Sequence, residues 1–125
     1  MVKAISYTLA AIALCVGLFI FTEWYVTKQF REFNYALESL YQKVDNETAN
    51  REDGFAVRAL WNSKKEKLHI FLPHNDISYV DYWLSEACGL IYNGKYELAL
   101  GKLEVLKEIA QNLPDSYRLT LENIF

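Results

Sequence analysis

Ala4 to Thr22 is a run of nineteen residues without a charge, and it leads straight into a stretch whose apolar positions repeat every 3.5 residues. The repeat is Val26, Phe30, Phe33, Leu37, Leu40 and Val44, in alternating steps of four and three. At a helical rise of about 1.5 Å per residue the uncharged run is roughly 28 Å long, close to the hydrocarbon thickness of a bilayer. The repeat that follows gives a helix one narrow apolar seam, and such a seam needs partners. Neither Gly nor Pro lies between Glu23 and Asp45. One unbroken helix is therefore expected from the membrane to about Asp45, with residues 1–25 as an N-terminal transmembrane anchor and 26–125 as a helical bundle domain.

Trp24 and Tyr25 close the apolar run. Trp and Tyr favour the headgroup zone, so the pair reads as a membrane-interface anchor. A cleaved signal peptide is the rival reading. The length of the run and the lack of a small-x-small site after Phe21 argue against cleavage. A lipoprotein signal wants a small residue before its cysteine, and Leu14 before Cys15 is bulky. Lys28 and Arg31 on the C side favour a cytoplasmic domain by charge count, whereas the very short N-terminus carrying Lys3 resembles a signal anchor. The expectation adopted is a single-pass cell-membrane protein with an extracytoplasmic C-terminal domain.

Downstream, three more seams have matching spacing. Asn50 opens a second helix whose seam runs Val57, Trp61, Lys64, Leu68, Phe71, with Pro73 as its stop. On that seam Lys64 is expected to bury its stem and keep its ammonium wet. With Lys65 and Lys67 it forms the one tight basic cluster, read as a solvated face. His74-Asn75-Asp76 reads as a loop, with Asp76 or Ser78 capping a third helix on Ile77, Val80, Leu84, Ala87 and Ile91. Asn93-Gly94 ends that helix, with Gly94 suited to a left-handed cap. The fourth helix, Lys95 to Asn112, carries Tyr96, Ala99, Leu103, Leu106, Ala110 and Leu113 and is expected to end at Pro114. The apolar tail from Tyr117 to Phe125 is expected to dock back on the bundle. Four seams joined by short turns predict an all-α fold, an antiparallel bundle of about four helices continuing from the transmembrane helix.

Chemistry is sparse. Net charge is −3, and all sixteen acids lie beyond Thr22, so a basic stripe for nucleic acid is missing. Cys15 and Cys88 are too far apart to pair. His69 and His74 are five apart with Pro73 between them, which places them on different sides of any helix and argues against a metal site. No glycine-rich phosphate loop or nucleophile elbow is present, and Glu104 and Glu108, which share a helix face at a spacing of four, read as solvated surface. The expectation is no enzyme activity and no cofactor. What remains is aromatic: Tyr79, Tyr82 and Trp83, within about one turn, form the best candidate interaction patch, because Tyr and Trp are enriched at interfaces.

Several short features are shared with known sequences: Pro73-His74 before the third helix, Ala99, Leu103 and Leu106 in the fourth, Leu113-Pro114, and the ending Leu119-Thr120-Leu121-Glu122-Asn123-Ile124-Phe125. In these the chain resembles a small uncharacterised family, a domain of unknown function in spore-forming Gram-positive bacteria. The resemblance implies one N-terminal span and an all-helical domain, and it implies no activity. The function expected is a non-catalytic membrane-anchored interaction or scaffold protein of the envelope. Its partners are membrane lipid and another membrane or envelope protein; a homo-oligomer is left open. The alternative is a bundle that binds an amphiphile or peptide beside Trp61 and Trp83, where Ala87, Ala99 and Ala110 leave room.

Overall fold

The computed structural model describes residues 1–124, with side chains through Asp115. It is an antiparallel bundle of four helices: α1 (Val2–Asp45), α2 (Arg51–Leu68), α3 (His74–Tyr92) and α4 (Tyr96–Ile124). Each packs on its neighbour in the chain, and α4 closes the ring on α1. The buried residues of α1 are Val26, Phe30, Phe33, Leu37, Leu40 and Val44, which is the seam read from the sequence. The seams of the other helices meet it, except that Phe71 lies past the end of α2 and is only half-buried. Trp61 is fully enclosed at the centre, 4.8 Å from the ring of Phe33 and 6.2 Å from that of Phe30. Its indole N–H donates to Asp81 at 2.7 Å, tying α2 to α3.

Turn chemistry explains the connections. At the end of α1 the Thr48 N–H bonds the Lys43 carbonyl at 2.8 Å and the Glu47 N–H bonds that of Val44 at 3.0 Å. This is a Schellman closure, with Glu47 in the left-handed conformation at φ 57°. Asn50 and Asp53 then form a reciprocal capping box that starts α2. The same closure ends α3, with Gly94 at φ 71° and the Lys95 N–H on the Leu90 carbonyl. The Tyr96 hydroxyl donates to the Ala49 carbonyl, fastening the start of α4 to the α1–α2 turn.

Four local expectations are corrected. α2 ends at Leu68, not at Pro73. The chain must reverse before α3, and Phe71 and Leu72 do so by folding both N–H groups onto the Leu68 carbonyl, which brings Leu72 into the core. His74-Asn75-Asp76 is the first turn of α3, not a loop. Pro73 is its N-cap in place of Asp76 or Ser78, with no side-chain cap bond. α4 runs through Pro114 to Ile124. A proline removes the bond to the carbonyl four residues earlier, here that of Ala110, and the Asn34 side-chain amide of α1 donates to this oxygen instead, at 3.4 Å. Lys64 is 5% exposed, so it does not lie on a solvated face. Its ammonium pairs with Glu32 and donates to Gln29, both on α1. The expected docking of Tyr117 to Phe125 concerns side chains outside those described.

Candidate functional site

The seam of α3 faces inward through Ile77, Val80, Leu84, Ala87 and Ile91. Helical periodicity therefore turns Tyr79 and Tyr82 outward, and they are 60% and 58% exposed. Tyr82 meets Trp83 edge to face at 5.8 Å and donates to Glu86 at 3.2 Å. Trp83 leans toward α4, packs against the core and lies under the Lys102 ammonium at 4.8 Å. Lys102 in turn pairs with Glu86 at 3.1 Å. Of the three patch residues, Tyr82 and Trp83 thus belong to one polar-aromatic cluster, and Tyr79 sits one turn earlier on the same side of α3. A tyrosine offers apolar area and a hydroxyl at little cost in rotamer freedom, which suits a face that contacts another protein.

Trp24 and Tyr25 separate. Trp24 is exposed, with Lys28 over its ring at 5.1 Å. Tyr25 is half-buried and packs against Phe71 at 5.8 Å, so it ties the end of the apolar run to the α2–α3 turn. That turn also brings His69 and His74 together, their rings stacked at 5.8 Å. The two histidines do not lie apart as the helical count suggested, because the helix stops at Leu68 and the turn folds the side chains onto one another. Among the described residues no three His, Cys, Asp or Glu side chains gather as metal ligands do.

Of the open concavities on the described part of the bundle, two are lined by arginine. One, of about 410 Å³, lies between α1 and α4 and is lined by Arg31, Asn34, Glu38, Lys107 and Gln111 among others. There the Lys107 ammonium, held by Glu38 at 2.7 Å, also lies 4.1 Å from the Tyr41 ring. The Lys107 ammonium holds the Glu38 carboxyl below its ordinary range, and the same contact raises Lys107. The other, between α2 and α3, is lined by Arg51, Phe55, Arg58 and Tyr92. Residue spacing alone did not single it out. Its signal is a matched pair of stripes at i, i+4 and i+7 on two helices, which becomes visible only once their register is known.

Comparison with curated proteins and with solved structures yields no match. A family model does match, over residues 21–124, and its description is a domain of unknown function, DUF4363. The matched stretch begins at the end of the apolar run and takes in all four seams of the bundle, so the chain belongs to the DUF4363 family.

Proposed function

We propose that the protein is a non-catalytic, single-pass membrane-anchored subunit whose bundle stands outside the cytoplasm and docks a second envelope protein on the outer face of α3. The observation that carries the reading is the first half of α1: its most apolar stretch is long enough to cross a membrane and has no part of the bundle against it. Such an apolar surface is costly to leave in water at about 25 cal/mol per Å². Two of its polar side chains are turned back on the helix, the Thr8 and Thr22 hydroxyls donating to the Ala4 and Leu18 carbonyls four residues back, as suits apolar surroundings. Exposed Trp24 with Lys28 beside it, immediately after that stretch, suits the headgroup zone. On the bundle itself, Tyr79 and Tyr82 supply the adaptable aromatic contacts of an interface.

The amphiphile-binding alternative is less well supported. Trp61, Ala87, Ala99 and Ala110 are wholly buried, so the seams are filled by the chain's own side chains. The photocrosslinker p-benzoylphenylalanine placed at Tyr82 in living cells is expected to capture one specific protein. A detergent extract that yields only monomer and no crosslink counts against docking. An alkaline phosphatase fused to the C-terminus is expected to be active, and an inactive fusion would reverse the orientation. Mass spectrometry of the purified chain is expected to find the apolar stretch from Ala4 to Thr22 retained; its loss would make it a signal sequence.

A further inference from the structure

α2 and α3 touch where Gly54 faces Cys88. The Cys88 thiol donates to the Gly54 carbonyl at 3.4 Å, and a Cβ on residue 54 would stand 3.3 Å from the Cys88 sulfur. Beside that contact is a cleft of about 210 Å³. Arg51, Phe55 and Arg58 line it from α2; Ser85, Gly89 and Tyr92 line it from α3. The Arg51 guanidinium lies over two rings, 5.0 Å from that of Phe55 and 4.6 Å from that of Tyr92. A guanidinium stacked on a ring keeps its in-plane N–H fork for an acceptor in that plane. No carboxylate of the described residues takes that place. Among the described residues, the ion pairs of Lys43, Lys64, Lys65, Lys102 and Lys107 leave Arg51 and Arg58 unengaged, in a chain with sixteen acids against thirteen Lys and Arg.

Three further properties narrow the occupant. The volume suits one side chain and is below the usual range for a cofactor or drug-sized ligand, about 300–1,000 Å³. The wall is open at Gly89, where a Cβ would meet nothing within 4 Å. Phe55 and Tyr92 are both exposed, so the cleft has an apolar rim beside its two positive charges. Gly89 also lies two turns beyond Tyr82 on the outward side of α3, which makes the cleft continuous with the docking face described above.

We propose that this cleft recognises a carboxylate-bearing side chain on an apolar segment of a partner protein, with Arg51 and Arg58 clamping the carboxylate and Phe55 and Tyr92 holding its apolar flank. The partner's being a protein rests on the docking reading of α3; carboxylate recognition does not. Cys88 lines the cleft and supplies a reporter. Burial holds its thiol above the ordinary range and the Arg58 charge lowers it, so alkylation is compared only as a ratio with and without probe for each variant.

The test uses the full chain in detergent micelles with Cys15→Ser, hydrocinnamate as probe and N-ethylmaleimide as alkylating agent. At a probe concentration about twice its dissociation constant, on the order of millimolar, Cys88 alkylation is expected to slow about threefold. The neutral amide of the probe is expected to give no protection. Arg51→Gln with Arg58→Gln is expected to abolish protection, and so is Gly89→Met, which fills the open wall without removing a charge. Equal protection by the amide, or full protection in the double arginine variant, overturns the proposal. Inorganic phosphate protecting as well as hydrocinnamate removes the role of the apolar rim and overturns it as well. Protection intact while Tyr82 gives no crosslink sustains carboxylate recognition and overturns the protein partner; crosslinks intact without protection overturn the cleft alone.

Discussion

Glu47 adopts a left-handed backbone at the turn after α1, where a Cβ is disfavoured and glycine is the usual residue. Glu47→Gly is therefore expected to stabilise the bundle by about 0.5–1 kcal/mol, less the entropy glycine loses on folding. Denaturant unfolding measures it; a loss of stability would mean that the Glu47 side chain contributes more than its backbone costs. Lys64 presents the opposite case, a charge enclosed on an apolar seam. Burying an ammonium is unfavourable unless it is paired, and its partner Glu32 is half in water. Lys64→Met leaves a carboxylate that water can solvate, whereas Glu32→Ala leaves a buried ammonium with Gln29 as its remaining partner. Lys64→Met is expected to melt at or above the parent temperature, and Glu32→Ala below it. The reverse order would show that the ion pair is worth more than an apolar side chain in the same space.

At the scale of the element, α4 illustrates how a neighbour rescues a helix. Pro114 strips the Ala110 carbonyl of its intrahelical donor, and Asn34 of α1 supplies one. Asn34→Ala is expected to cost about 1 kcal/mol in the parent chain, the usual worth of one hydrogen bond. In a Pro114→Ala background the backbone N–H returns, and the same substitution is expected to cost close to nothing. Equal costs in both backgrounds would separate Asn34 from the continuation of α4. The α2–α3 contact is set by size instead. Gly54 carries no side chain where Cys88 closes on it, so the two helices come near enough to frame the arginine cleft.

At the scale of the molecule, ion pairs link helices that the apolar seams have already brought together. Lys64 holds Glu32 below its ordinary value, chiefly through their hydrogen bond; Lys107 does the same to Glu38. The Asn50 N–H lowers Asp53 first, with Lys43 adding to it. A carboxyl depressed in the folded state contributes stability above its unfolded pKa and loses it as pH falls through the folded value. The bundle is thus expected to lose melting temperature progressively as pH falls through about 4.5, where unfolded glutamates are half protonated. Lys107 is raised by Glu38, so its contribution holds below 10.5 and fades as pH climbs through its folded value. A melting temperature flat from neutral to strongly acid pH would show that these pairs add nothing to stability.

The sequence by itself determined the four seams, the Asn50 and Gly94 helix boundaries and the apolar helix ahead of the bundle, because each rests on short-range chemistry: periodicity, caps and the conformational limits of glycine. Proline misled it twice, for opposite reasons. Pro73 caps the start of α3 but does not end α2, which has already stopped at Leu68, and Pro114 is carried inside a helix because the side chain of Asn34, seventy-six positions before Ala110, completes the missing bond. Only the tertiary structure decided what Lys64 faces, that His69 and His74 stack, and that Arg51 and Arg58 share a cleft with Phe55 and Tyr92. Each of these depends on the register between two helices. A one-dimensional pattern fixes which side of a helix is buried, but register is set by how two filled surfaces interlock, here by Gly54 admitting Cys88 and by Trp61 reaching Asp81.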